Sequence, residues 1–360
     1  MEANINQILQ QTITAQKKGK FREAEIGYKK LIELKPDYAE AHNNLAVIRK
    51  ELGRLDEAEI SFKKAIKLKP DYADAHYNLG IILQELNRVD EAEISFKKAI
   101  KLKPDYVQAY NNLGNTLKVL ERFDEAATYY KKVIELDPNQ DEAKHLLASV
   151  TGKTTNSAPR SYVENLFNNY ASTFEESLSD SLEYEIPKII TEMIIAKNLK
   201  GSLGSILDLG CGTGLTGVQV KKFCTNLEGV DLSKLMLAQA RKKNIYDKLI
   251  HKDIIEYLST EKLDFNYFIA TDVFIYVGDI SDVFRLIKSR NKLNGRLVFS
   301  TEHTDKDRFF LEKSGRYSHS KKYIESLCKE FNFNLSHFEK IKLRKEKDFF
   351  IMGSLYLLDF

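Results

Sequence analysis

Prolines recur at Pro36, Pro70, Pro104 and Pro138, each 34 residues after the last. No other feature constrains the fold as strongly, because self-similarity at a fixed period of this length means a stack of supersecondary units. The run EAEISFKKAIKLKPDY stands unchanged at 57–72 and again at 91–106. In register with the prolines lie Ala24, Ala58, Ala92 and Ala126, then the rings of Tyr28, Phe62, Phe96 and Tyr130. Small residues let paired helices approach, and aromatics fill the space between neighbours. Leu45, Leu79 and Leu113 mark the packed face of the first helix in repeats two to four. Ala46, Gly80 and Gly114 sit beside them where backbones come close. In repeat one, Gln11 and Thr12 stand in place of that leucine and small residue. The pattern predicts an all-α solenoid of four repeats over 1–150, closed by a capping helix near 141–149.

These positions resemble the tetratricopeptide repeat over about 5–148. Such arrays are held by nearest-neighbour packing and leave a concave surface for partners. Asn44, Asn78 and Asn112 occupy one position in successive first helices, flanked by Gln10 and Leu146. A side-chain amide both donates and accepts, so a column of them can pair with an extended peptide backbone. The column is similar to the asparagine ladder in the repeats of O-linked N-acetylglucosamine transferases, which implies a protein or peptide partner. The alternative is that these amides only cap local polar groups.

Composition excludes more than it suggests. Lys and Arg number 55 against 52 Asp and Glu, a net charge of +3. That near-balance gives no electrostatic case for a nucleic-acid or membrane partner. Cys211, Cys224 and Cys328 make neither a C-x-x-C pair nor an even-numbered framework, which favours a reducing compartment. The start, MEANINQILQ, lacks the basic-then-apolar pattern of a secretory signal, and no apolar run approaches the ~20 residues a bilayer requires. A cytoplasmic location is the expectation.

The segment TGKTTNSAPRS at 151–161 reads as a polar connector. Beyond it, Val163, Phe167, Tyr170, Phe174 and Leu178 fall at helical spacing, and Pro187 suits a helix's first turn. From 205 onward short apolar runs alternate with helical segments, which predicts a parallel sheet flanked by helices over 162–360. The tail, from Phe338 to Phe360, reads as two strands joined by a charged turn near Lys345–Lys347.

The strongest motif is SILDLGCGTGL. A strand at 205–209 carries Asp208 and runs into Gly210, Gly212 and Gly214. In doubly wound sheets ligands sit beyond the carboxyl ends of strands, where glycine lets backbone approach them. The glycine spacing alone leaves a nicotinamide dinucleotide reading open. A second acid, Asp231, ends the next strand 17 residues beyond Gly214. Its carboxylate can accept from both hydroxyls of a ribose, or it or Ser233 can cap the helix starting near Lys234. A third, Asp253, follows a short apolar run in LIHKDIIEYL, and a fourth, Asp272, opens the loop after the strand at 267–271.

The tighter G-x-G-x-G loop with its preceding acid resembles motif I of class I S-adenosylmethionine-dependent methyltransferases. That resemblance implies a Rossmann-like, seven-stranded α/β domain ending in an antiparallel hairpin. It places Asp208 near the methionine ammonium of S-adenosylmethionine and the three glycines along the sulfonium and ribose. Leu232 would lie on the adenine, Asp253 would receive its amino group, and the Ile254 N–H would meet a ring nitrogen. Asp272 would face the transferred methyl. Asp253 as a plain helix cap is the competing reading. The loop after Asp272 lacks an Asn-Pro-Pro-Tyr run, which disfavours exocyclic base nitrogens and glutamine amides as acceptors. Together, YASTFEESL, TDVFIYVGD, FSTEH and SGRYSHSKKYI resemble a family of bacterial methyltransferases fused to tetratricopeptide repeats.

Methyl transfer needs a general base only where the acceptor arrives protonated. His303 and His319 are the imidazole candidates, with Tyr276 and Tyr317 in the same loops. Arg316 either grips an anionic acceptor or forms a surface ion pair. Tyr162, Phe167 and Tyr170 form either a lid or ordinary core. The expectation is a multidomain chain, a repeat array followed by a methyltransferase whose repeats recruit a protein or carrier-bound substrate. A small-molecule methyltransferase whose repeats only mediate assembly, and a non-catalytic adaptor, remain the alternatives.

Overall fold

The computed structural model describes residues 2–176, 184–198, 201–346 and 349–360. The chain divides into two compact units, Met1–Thr151 and Gly152–Phe360.

The first unit is built of α1 (Glu2–Lys17), α2 (Phe21–Leu34), α3 (Ala39–Glu51), α4 (Leu55–Leu68), α5 (Ala73–Glu85), α6 (Val89–Leu102), α7 (Val107–Val119), α8 (Phe123–Leu136) and α9 (Asp141–Val150). The periodic alanines and aromatics are buried in every repeat. The small residue in the first helix of each pair answers the ring in the second. A Cβ on Gly80 would stand 2.6 Å from the Phe96 ring, and one on Gly114 2.7 Å from Tyr130.

Repeat one solves the same problem in reverse. Thr12 is buried there, its hydroxyl donating to Ile8 O at 2.7 Å. Room for it comes from Gly27 on α2, where a Cβ would lie 2.0 Å from Thr12 Oγ1. The degenerate repeat is a compensated pair rather than a defect.

Neighbouring repeats are also tied by a periodic ion pair. Arg54 meets Glu25 at 2.6 Å, Arg88 meets Glu59 at 2.8 Å and Arg122 meets Glu93 at 2.7 Å. Burial pushes the Glu59 carboxyl up, but bonds from Lys63 and Arg88 outweigh it and leave the group below its ordinary value.

The second unit carries β1 (Ser205–Leu209), β2 (Asn226–Asp231), β3 (Lys248–His251), β4 (Tyr267–Ala270), β5 (Arg296–His303), β6 (Phe309–Leu311), β7 (Tyr317–His319), β8 (Asn334–Glu346) and β9 (Phe349–Asp359). Strands β3, β2, β1, β4 and β5 are parallel neighbours, and β9 then β8 complete them antiparallel. This is the seven-stranded class I methyltransferase order. The expected tail hairpin is present, and of its charged turn Lys347 lies outside the described residues, as does Leu178. Two further strands were not legible beforehand: β6 and β7 form a hairpin whose β7 pairs with β5 at Glu302 and His303, beyond the end of β4. Residues 186–196 pack as a helix on the sheet, with Ile186, Ile190 and Ile194 fully buried among Ile206, Ile269 and Val298.

The expected connector at 151–161 is corrected by the structure. After Thr151 it is part of the second unit: Ala158 N–H donates to Tyr276 O at 3.0 Å, Asp279 N–H to Asn156 O at 2.8 Å, and Thr155 and Tyr317 hydroxyls meet at 2.6 Å. Its polar side chains serve as strap rather than spacer.

Gly27→Ala should destabilise the first unit by ~1 kcal/mol in urea unfolding, although alanine is the better helix former by about that amount, because overpacking costs more. Thr12→Ala in the same chain should restore stability. A single Gly27→Ala variant more stable than wild type would refute the pairing.

Candidate active site

The parallel register brings Asp208, Asp231 and Asp253 to one edge. Asp208 sits near the end of β1, Asp231 ends the adjacent β2, and Asp253 follows β3, which pairs with β2 through Asp231 and His251. Adjacent strands lie ~4.8 Å apart, so the acids line one strip at the carboxyl ends.

Gly210, Gly212 and Gly214 all take positive φ, at +64°, +54° and +92°. Gly210 is required twice over, since a Cβ would also lie 2.4 Å from Val273 of the loop after β4. Gly214 caps the helix 215–220 in the left-handed conformation. Asp231 fastens the loop: Oδ2 accepts the Gly212 N–H at 2.8 Å and Oδ1 the Ser233 N–H at 2.7 Å. The cap of helix 234–242 is Ser233, whose hydroxyl accepts the Met236 N–H at 3.1 Å. Asp253 caps helix 254–260, Oδ1 accepting from Ile255 at 2.8 Å and Glu256 at 3.2 Å, so the cap reading of that residue is realised. Leu232 offers its carbonyl to His251 Nε2 at 2.9 Å.

Asp208 is the unusual group. It is fully buried, and Oδ2 accepts the Tyr246 hydroxyl at 2.7 Å; among the described residues Oδ1 has no partner. Burial, with a smaller contribution from the Asp231 charge, pushes its pKa up to about 7. An uncapped buried carboxylate oxygen beside a positive-φ glycine loop suits a cationic ligand group. Tyr246 was missed by sequence reasoning; it lies in the loop between helix 234–242 and β3, and no motif marks it.

At the end of β4 the backbone of Asp272 also turns left-handed, at φ +55°. Its N–H donates to Ser300 Oγ, Ser300 Oγ donates to Asp272 Oδ1, both at 2.8 Å, and Arg344 reaches Oδ2 at 3.2 Å. Arg344 from β8 is 5% exposed and also bonds Glu302 and, at 2.9 Å, Glu346. Arg316 bonds the same two glutamates, each at 2.6 Å. Arg316 is thus neither a surface pair nor an open anion clamp: two of its nitrogens are spent on Glu302 and Glu346. This network was invisible beforehand because its members are scattered over 272–346.

The hydrogen bonds of neither histidine reach the acid strip or the Asp272 network. His303 alternates with Glu302 along β5 and so points to the opposite sheet face. There it bonds Ser354 Oγ at 2.9 Å and Asp305 at 3.0 Å. His319 is fully buried, Nε2 donates to Val277 O at 3.0 Å and Gly278 O at 2.9 Å, and burial pulls its pKa to about 4. It pins the loop 274–279 to β7 as a neutral ring. Tyr317 likewise is buried against the strap. Tyr276 lies within electrostatic reach of Arg316 and Arg344, and burial raises its pKa.

Helix 160–170 buries no residue completely, which sets aside the core reading. It covers the strip instead. The Ser233 hydroxyl donates to Asn168 at 2.7 Å, Glu164 lies 3.9 Å from His251, and Phe167 packs edge-on against Tyr276 at 5.3 Å. Tyr170 is half exposed and lies outside this cover.

In the repeats, Asn44, Asn78 and Asn112 all bond within the array. Asn44 accepts from Asn43 at 3.1 Å, Asn78 donates to Asn43 at 3.3 Å and Asn112 to the Tyr77 hydroxyl at 3.3 Å.

A helical repeat array followed by a class I methyltransferase fold is the class that this architecture defines. Residues 28–60, 47–87, 73–106 and 107–140 match models of the tetratricopeptide repeat, and 200–349 match a model described as a methyltransferase domain. The chain carries tetratricopeptide repeats and a methyltransferase domain. An uncharacterised protein of Haemophilus influenzae (strain ATCC 51907 / DSM 11121 / KW20 / Rd) is 30% identical over 127 residues, covering 33% of this chain and 49% of that one. The chain therefore spans about half the length of that relative. Among solved structures, magnesium protoporphyrin IX methyltransferase (ChlM) from Synechocystis PCC 6803 with bound SAH is 14% identical, covering 56% of this chain and 98% of that one at a TM-score of 0.44. MamA is 27% identical, covering 39% and 81%, at a TM-score of 0.37.

The folded state holds a proton on Asp208 that the unfolded chain releases above 3.8. The contribution of Asp208 to stability should therefore fall as pH rises from 3.8 to about 7, by roughly 4 kcal/mol. Asp208→Asn should remove that contribution from the pH dependence of thermal unfolding of the ligand-free protein. A slope identical in wild type and variant would contradict the assignment.

Proposed function

We propose that the second unit is an S-adenosylmethionine-dependent methyltransferase and that the repeats bring it a protein or carrier-bound acceptor. The observation that carries the cofactor reading is the buried Oδ1 of Asp208, without a partner among the described residues, which a methionine ammonium would satisfy. Asp231 accepts the Gly212 N–H on Oδ2 and the Ser233 N–H on Oδ1, and a carboxylate oxygen that accepts one such bond retains a lone pair for a ribose hydroxyl. The second oxygen of Asp253 and the N–H of Ile254 suit the adenine edge, and Leu232 its face. Gly210, Gly212 and Gly214 leave the space that side chains would fill.

When bound, the sulfonium supplies an electrophilic methyl that needs no activation by the protein. The chain's own residues hold the acceptor in line and keep water out. Asp272, locked by Ser300 and Arg344, and Tyr276, a permanently protonated donor, form the acceptor side. Helix 160–170 covers the strip through Asn168 and Phe167. The acceptor gives up its proton to a carboxylate of the Asp272 network.

One observation favours a second reading of the repeats. The three column asparagines bond to the array's own polar groups, which supports an assembly role with a small-molecule acceptor.

Calorimetry should show S-adenosylmethionine binding by the wild type and a loss of at least about a hundredfold with Asp231→Ala, which removes both the ribose acceptor and the loop fastening. Tritiated-methyl labelling of a host lysate then separates the readings. Counts in protein, lost with Asp231→Ala and reduced by Asn44→Ala/Asn78→Ala/Asn112→Ala, support recruitment. Counts only in small molecules support assembly, and absence of cofactor binding by the wild type overturns the enzymatic reading.

A further inference from the structure

The unchanged run at 57–72 and 91–106 repeats more than the core requires. Packing fixes Ala58, Phe62 and Ala65 and their counterparts, yet the solvent-facing positions are identical too. On the outer face of α4 stand Asp56, Ile60 and Lys64, four residues apart, and on α6 stand Asp90, Ile94 and Lys98. Residues at this spacing share one helix face. Ile60 is 67% exposed and Ile94 68%, and an aliphatic side chain is stabilised by leaving water rather than by facing it. The acids and lysines flanking them are exposed as well. Repeat four carries Thr128 at this position and repeat one carries Arg22 in place of the acid, so the acid–isoleucine–lysine pattern is confined to the two middle repeats.

We propose that this face pairs with a second copy of the chain, α4 of each copy lying antiparallel against α6 of the other. Charge decides the occupant and the direction. Each helix face is acidic at its start and basic at its end, so an identical face fits it only when reversed. Antiparallel packing sets Asp56 opposite Lys98 and Lys64 opposite Asp90, four attractive pairs over the two-fold, with Ile60 of each copy on Ile94 of the other. A parallel arrangement would oppose like charges throughout. A two-fold contact repeats every interaction, so the Ile60–Ile94 contact is made twice. The exposed rim pairs set direction, and the desolvated isoleucines hold the contact.

Sedimentation equilibrium of the full chain tests this. Wild type should show a reversible monomer–dimer equilibrium at up to about 100 µM, a range in which micromolar affinity is visible. Ile60→Glu/Ile94→Glu should weaken dimerisation at least about tenfold, with helical circular dichroism and thermal unfolding unchanged. Asp56→Lys/Asp90→Lys should also be monomeric, and adding Lys64→Asp/Lys98→Asp should restore the dimer. A wild type that stays monomeric, or a dimer indifferent to the isoleucine substitutions, or a charge-swapped chain that does not recover, would each overturn the proposal.

Discussion

A carboxylate held dry at the end of a strand costs free energy unless something positive sits against it. Asp208 is such a group, and the arrangement of the second unit follows from it. Tyr246 satisfies one of its oxygens and leaves the other bare. Asp231, on the neighbouring strand, makes the cost larger and at the same time holds the glycine loop in place. The protein tolerates this strain at the one edge where a parallel sheet presents its ligand site. Around it, Asp272 makes three hydrogen bonds with Ser300 and Arg344, and Val273 leaves no room for a side chain at Gly210.

The repeat array obeys a different logic. Its stability comes from small-against-large contacts and from the Glu–Arg pairs that recur between neighbours. Both are nearest-neighbour terms, so a local change such as Thr12 can be met by a local answer such as Gly27 without disturbing the stack. The outer face is free of that packing, and its regularity in the two middle repeats calls for a separate cause.

Much of this was legible in the sequence because the signals are local. The 34-residue period announced the solenoid, and Asp208, the three glycines and Asp231 announced the sheet edge by spacing alone. What was not legible depends on contacts between distant segments. Arg344, Glu302 and Arg316 meet only because β8 reaches the end of β4. The polar stretch at 152–161 looked like a linker because hydrogen bonding by Thr155 and Ala158 leaves no trace in composition. His303 and His319 drew attention as titratable groups in loops, whereas strand alternation and burial decide against both. Asp253 shows how one residue type answers two questions, since the helix cap occupies one oxygen and leaves the other.

The central claim is that the bare oxygen of Asp208 exists to meet a cationic cofactor group, and carbon-detected NMR of aspartate carboxyls tests it most directly. In the free protein the Asp208 signal should titrate near 7, and with S-adenosylhomocysteine, which carries the same ammonium, it should stay ionised across that range. A titration midpoint that does not move when the ligand is added would contradict the account.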